Sequence, residues 1–208
     1  MTFVIGLTGS IGMGKSATAA LFRARGVPVH DADATVHALY RGKAVPLLAA
    51  EFPGCVVDGT VDRTLLSPMV LGKPEAMKRL ESIIHPLVRD AERDFLDQAK
   101  KAAQPLVVLD IPLLFETGGE YRCDAIIVVS TEYPVQRDRV LARPGMTEER
   151  FSAILARQIP DHEKRRRAHL VIDTSHGLED AGDQVDAAIR TFIGRTGHVA
   201  TQSGQGDS

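Results

Sequence analysis

The sequence predicts an α/β fold in three layers, with a parallel sheet covered by helices on both faces. Apolar runs rich in β-branched residues recur at 3–7, 106–109, 125–129 and 170–172, and Val27-Pro28-Val29 is a shorter candidate strand. Most of these runs are continuous rather than alternating, which is how strands read when both faces of a sheet are covered. Stretches of helical pattern lie between them, as crossovers joining parallel strands require. At 208 residues the chain suits one such domain with inserted lobes.

The first strand feeds Gly9-Ser10-Ile11-Gly12-Met13-Gly14-Lys15-Ser16, a match to G-x-x-x-x-G-K-[ST], and residues 17–25 read as the helix leading out. Glycines let such a loop curl until several backbone N–H groups point at one anion. The helix N-terminus adds its dipole, Lys15 reaches the β- and γ-phosphates, and Ser16 offers a hydroxyl to Mg²⁺. A Gly-rich strand-to-helix turn without a ligand is the bland alternative. The full motif between the correct flanks favours a site for a nucleoside triphosphate.

His30-Asp31-Ala32-Asp33 follows the second candidate strand. Residues at the carboxyl ends of strands line the ligand crevice of an open α/β sheet. Two carboxylates there have two readings. One accepts a proton from a substrate hydroxyl while the other orders water around Mg²⁺, or Asp31 or Asp33 caps the helix that starts near Ala34. The residues alone leave that choice open.

Residues 34–104 are nearly all helical in pattern, punctuated at Gly42, Pro46, Pro53-Gly54, Asp58-Gly59, Pro68, Pro74 and Pro86. That is too long for a crossover and predicts a helical lobe inserted between strands. Inside it, His85-Pro86 interrupts a helical pattern over 75–103. Proline lacks the backbone donor, so a break is expected there, with Pro86 opening a new helix at its first turn. His85 then either caps the break or meets a phosphate or a substrate hydroxyl.

Strand 106–109 ends in Asp110 and is followed by Ile111-Pro112-Leu113-Leu114-Phe115-Glu116. An apolar strand ending in Asp suits a carboxylate that helps hold Mg²⁺ through water or through Ser16, although such aspartates are also common in turns. Pro112 stops the strand, so residues 113–115 are expected to wall a pocket and Glu116 to start the next turn. After strand 125–129, residues 134–168 carry Arg137, Arg139, Arg143 and the turn Pro144-Gly145. Thr147 is placed to cap the following helix, with Glu148 and Glu149 at its positive end. Arg139 and Arg143 share a helix face, which either clamps phosphate oxygens or is a solvated face paired with Asp138 or Glu132. An arginine-studded helical hairpin here suits a mobile lid over a triphosphate. Arg166 and Arg167 read as solubilising charge, and the polar, Gly/Ser-rich residues 196–208 as a disordered tail.

Composition narrows the classes. A net charge of −2 gives no overall basic field, so nucleic acid is not expected as the main partner; positive charge is local, as at Lys164-Arg165-Arg166-Arg167. Cys55 and Cys123 lie far apart without metal-ligand spacing, and the histidines form no H-x-x-x-H or H-x-H cluster, so neither a disulfide framework nor zinc is expected. No run reaches the ~18 apolar residues of a membrane span, and the N-terminus enters the first strand without a basic region and a long apolar region. A soluble, cytoplasmic setting is the expectation. No N/T-K-x-D guanine-reading segment is present, against a GTPase, and a motor ATPase would need a longer core and a more basic surface. Transfer of phosphate to a small acceptor remains, beside a rival of a different class, a regulator that senses ATP without turnover.

Taken in order and spacing, Leu7 to Ser16, Asp31-Ala32-Asp33, Ile84-His85-Pro86-Leu87, Pro112-Leu113-Leu114-Phe115-Glu116 and Val171-Ile172-Asp173 resemble the dephospho-CoA kinase family, over residues 2–194. The phosphate loop alone is shared widely; its combination with the other segments is specific. The resemblance implies a P-loop kinase core at 1–33, 105–133 and 169–195, a helical insert at 34–104 that binds the coenzyme A substrate, and a helical lid at 134–168. It implies ATP with Mg²⁺ as the donor and the ribose 3′-hydroxyl of dephospho-CoA as the acceptor; the sequence does not give the oligomeric state, a monomer being favoured. By position it implies that Gly12, Met13, Gly14, Lys15, Ser16 and Ala17 hold the triphosphate and that Ser16 and Asp110 hold the metal. Asp33 would be the base at the ribose hydroxyl, with His85 and Leu113 also against the acceptor. Lys15 and Arg139 would stabilise the charge in transfer, and Asp173 with Thr174 would lie near the adenine. Met13, Ala17 and Thr174 depart from the residues frequent in the family, but none removes the Lys15 ammonium, the Ser16 hydroxyl or the Asp33 carboxylate.

Overall fold

The computed structural model describes residues 1–197, so the expected tail lies, beyond Gly197, outside the described residues. In chain order the elements are β1 (Phe3–Thr8), α1 (Lys15–Ala24), β2 (Val29–Asp31), α2 (Ala32–Leu39), α3 (Val45–Glu51), β3 (Val56–Val57), β4 (Thr60–Val61), α4 (Arg63–Val70) and α5 (Pro74–Lys101). There follow β5 (Leu106–Asp110), β6 (Ala125–Ser130), α6 (Tyr133–Leu141), α7 (Glu148–Leu155), α8 (Asp161–Arg167), β7 (Leu170–Asp173) and α9 (Leu178–Phe192). They fall into two compact units, Met1–His30 joined with the chain from Gln98 onward, and Asp31–Asp97.

The first unit is built on a five-stranded sheet in the order β2-β5-β1-β6-β7. β1 sits in the middle and pairs in parallel with β5 and with β6, and β6 pairs in parallel with β7. Every residue of β1, β5 and β6 is buried, which accounts for their continuous apolar runs. The register sets Leu7 beside Asp110, so the carboxyl ends of β1 and β5 open at the same level. Helix α9 shows why a helix covers this sheet: Ala181, Val185, Ala188 and Phe192 are spaced four, three and four apart, all buried on one face. Phe192 stacks on Phe3 with centroids 5.4 Å apart, closing the core between α9 and β1. Arg25, just past α1, donates to Asp186 of α9 at 2.9 Å and ties the two helices on that side.

The second unit has its own core, with Leu39, Tyr40, Leu48, Phe52, Val61, Leu66 and Ile84 at its centre. Two expectations are corrected here. The stretch is not all helix: β3 and β4 form a small antiparallel ribbon, with Val56 opposite Val61, around Asp58 and Gly59. Both turn residues have positive φ, 49° and 72°, the geometry of a tight two-residue hairpin turn. Helix α5 also does not break at Pro86, and α4 likewise carries Pro68 within it. Pro86 and His85 face solvent, while Leu80, Ile83, Ile84, Leu87 and Val88 pack on the unit's core. Apolar packing on both sides of the proline outweighs the local cost. His85 is therefore an exposed residue in mid-helix, not a junction cap.

Residues 133–167 form three short helices in the first unit. Thr147 caps α7 as expected, its Oγ1 accepting from the Arg150 N–H at 3.3 Å. Phe151 is fully buried against Tyr133, with centroids 6.2 Å apart, which seats α7 on α6. Among the described residues no helix is long and apolar enough to cross a membrane.

Candidate active site

The loop from Gly9 to Gly14 turns tightly between β1 and α1. Gly14 is the N-cap of α1 in the left-handed region, φ 89°, with no side chain capping the helix, so the first amides of α1 stay available to an anion. Gly12 has φ 80°, and a Cβ there would lie 2.5 Å from Val140 Cγ2 and 2.9 Å from the Gln136 carbonyl. Only glycine lets α6 approach the loop this closely. The loop is also held from outside. The Met13 sulfur accepts the Thr131 N–H at 3.2 Å, so this departure from the family residue fixes the loop to the end of β6.

Lys15, in the first turn of α1, is paired with Asp110 at the end of β5. Asp110 is 3% exposed, while Ser16 and Ala17 open to solvent. Ser16 Oγ and the Asp110 carboxylate are hard oxygen donors, the type Mg²⁺ takes while keeping most of its waters. Among the described residues no group of three or more His, Cys, Asp or Glu gathers as a metal cage. A donor set this small fits Mg²⁺ carried in with a polyphosphate.

Arg139 of α6 donates to Thr174 Oγ1 at 2.8 Å and to the Thr174 carbonyl at 2.7 Å. Thr174 Oγ1 in turn donates to the Met13 carbonyl at 2.9 Å, so one buried hydroxyl connects α6, the end of β7 and the phosphate loop. Arg139, Thr174, Gly14, Ala17, Thr18 and Leu178 line a cavity of about 330 Å³. Arg137 pairs with Glu148 instead.

Asp31 and Asp33 separate in role. Asp31 is the N-cap of α2, its Oδ1 accepting the Ala34 N–H at 2.9 Å. Asp33 sits two residues further on, in the first turn of α2, and is exposed. Of the residues expected to wall a pocket, only Leu113 turns outward, at 43% exposed; Leu114 and Phe115 are in the core, correcting that expectation.

Glu116 does more than open a turn. Its Oε1 accepts the Ile159 N–H at 3.0 Å and lies 2.8 Å from Lys164 Nζ. Burial pushes the Glu116 carboxyl up, but Lys164 and the Ile159 N–H outweigh it and hold the group below its usual value. Lys164, in the local basic run 164–167, is fully buried, while Arg167 is exposed, pairs with Glu120 and lies over Phe115. Of Lys164, Arg165, Arg166 and Arg167 only Lys164 is buried, and a run of cations does not itself say which member faces inward. Asp173 is turned locally, accepting the Ser175 N–H at 2.8 Å.

Comparison with known proteins decides the family. The family model for dephospho-CoA kinase matches residues 3–180. The chain belongs to the dephospho-CoA kinase family. It is 60% identical over 191 residues to the dephospho-CoA kinase of Rhodopseudomonas palustris strain HaA2, covering 90% of this chain and 96% of the relative. It is 59% identical over 194 residues to that of Mesorhizobium japonicum, covering 93% and 98%. A crystal structure of a Thermus thermophilus protein superposes with a TM-score of 0.79 at 39% identity, covering 93% of this chain and 99% of that one. The dephospho-CoA kinase from Campylobacter jejuni, at 22% identity and a TM-score of 0.66, shares the fold. As a member of this family the chain is a kinase.

Proposed function

We propose that the chain transfers the γ-phosphoryl group of ATP to the ribose 3′-hydroxyl of dephospho-CoA, giving coenzyme A and ADP. The observation that carries this reading is the uncapped amino end of α1 behind Gly12 and Gly14, with Lys15 and Asp110 at its mouth, in a chain 60% identical to a dephospho-CoA kinase. The loop amides and Lys15 hold the β- and γ-phosphates, and the cavity at Arg139, Thr174 and Leu178 takes the adenine. Asp33 accepts the proton of the ribose hydroxyl as it attacks in line, and Leu113 and His85 contact the acceptor. Ser16 and Asp110 would hold Mg²⁺, which would supply charge neutralisation at the polyphosphate. Arg139 stabilises charge on the phosphoryl group. Residues 134–168 act as the lid that keeps water from the γ-phosphate. The enzyme works on small molecules in the cytoplasm.

The test is an acceptor panel of dephospho-CoA, adenosine and gluconate with ATP and Mg²⁺. ADP release that requires dephospho-CoA, with phosphate found on the 3′-oxygen, supports the reading. Transfer to another acceptor, or ATP binding without acceptor-dependent ADP, overturns it.

A further inference from the structure

One residue of the phosphate loop, Ile11, is held through both of the peptide units that flank it. The Ile11 N–H donates to Gln158 Oε1 at 3.1 Å, and the Ile11 carbonyl accepts from Gln136 Nε2 at 2.7 Å. Gln136 is 3% exposed, on the α6 turn whose backbone approaches Gly12. Gln158 comes from the connection between α7 and α8, next to Ile159, whose own N–H is fixed by Glu116. The N–H and the carbonyl of Ile11 are both taken up by side chains, so the loop's shape does not depend on the phosphates alone.

We infer that Gln136 and Gln158 are positioning residues for phosphoryl transfer, setting the two peptides on either side of Ile11 and thereby the curl of the loop that receives the β- and γ-phosphates. Gln158 is also the hold that segment 142–160 has on the loop, so the seating of that segment and the shape of the cradle are coupled through one hydrogen bond. The inference rests on ATP binding at this loop. It concerns neither the transferring atoms nor the acceptor.

The experiment uses the full chain with Gln136→Met, Gln158→Met and the double variant, each near-isosteric and without the amide. The parent is assayed first with ATP and dephospho-CoA: an inactive parent refutes the functional reading itself. With an active parent, each single variant is expected to raise the KM for ATP about five- to tenfold, the loss of one hydrogen bond. The KM for dephospho-CoA stays at the parental value, and the thermal midpoint without nucleotide falls by no more than the loss of one hydrogen bond accounts for. Because both side chains act on the same residue, Ile11, the double variant should fall well short of the product of the single effects. A parental KM for ATP in Gln158→Met overturns the inference. So do multiplicative effects, or a fall in kcat that only tracks a lowered thermal midpoint. Should buried Gln136→Met fail to fold, Gln158→Met decides alone, with Gln158→Asn, whose shorter amide cannot keep the 3.1 Å contact unstrained, expected to resemble it.

Discussion

Lys164 is fully buried with its ammonium 2.8 Å from Oε1 of Glu116, and this pair lies between the segment after β5 and the start of α8. Glu116 Oε1 also accepts the Ile159 N–H, so one carboxylate seats the chain that brings Gln158 to the phosphate loop. Removing either partner leaves a buried charge without its counterpart, which costs about 3 kcal/mol. Glu116→Gln and Lys164→Met should each show that loss in urea unfolding at pH 7, and the double variant should lose less than the sum.

The same pair has a pH signature. The Glu116 carboxyl titrates below its usual value of 4.5 in the folded chain. Its contribution is therefore fully present above the unfolded value and is lost as pH falls through the folded one. The stability gap between parent and Glu116→Gln should be constant near neutrality and shrink on acidification below about pH 4.5. A gap independent of pH down to acid unfolding would contradict this.

Lys15→Ala removes the ammonium that Asp110 now holds and leaves Asp110 buried without it. Both the KM for ATP and kcat should suffer, with kcat/KM for ATP down about 100-fold or more. Unchanged steady-state kinetics would contradict the phosphate role.

Asp33→Asn keeps the size and exposure of the side chain but not its basicity. Turnover should fall about 10²- to 10⁴-fold, while ATP binding measured by calorimetry stays near parental. Near-normal turnover would remove Asp33 as the base.

Gly12→Ala forces a Cβ into the left-handed region, 2.5 Å from Val140 Cγ2. Strain and overpacking together cost about 2–4 kcal/mol, so the thermal midpoint should drop and the KM for ATP should rise as α6 moves off the loop.

Much of the fold was legible because its signals are contiguous. Continuous apolar runs mark β1, β5 and β6, and Gly9 to Ser16 carries its turn, helix start and cation within eight neighbours, so backbone geometry and chemistry can be read together. The cap by Thr147 is local in the same way. Pro86 was misread because a proline's local cost is visible in sequence and the tertiary packing of Leu80, Ile83, Leu87 and Val88 that overrides it is not. The ribbon β3–β4 is two residues per strand, too short for any period to register. Gln136 and Gln158 carried no signal, since a glutamine on a helix or in a loop is ordinarily a solvated residue.

By itself, then, the sequence determined a phosphate cradle between a strand and a helix, the parallel sheet behind it, and a family resemblance written in short motifs. Tertiary structure decided which charges and amides serve that cradle. Lys15 and Lys164 are the same side chain in sequence, yet one lies at the loop's mouth and the other is buried against Glu116. Ile11 meets Gln158 across a separation of 147 residues. Local motifs fix backbone shape through φ, ψ and capping, which neighbouring residues set; partners so distant are selected only when burial makes an unmet polar group costly.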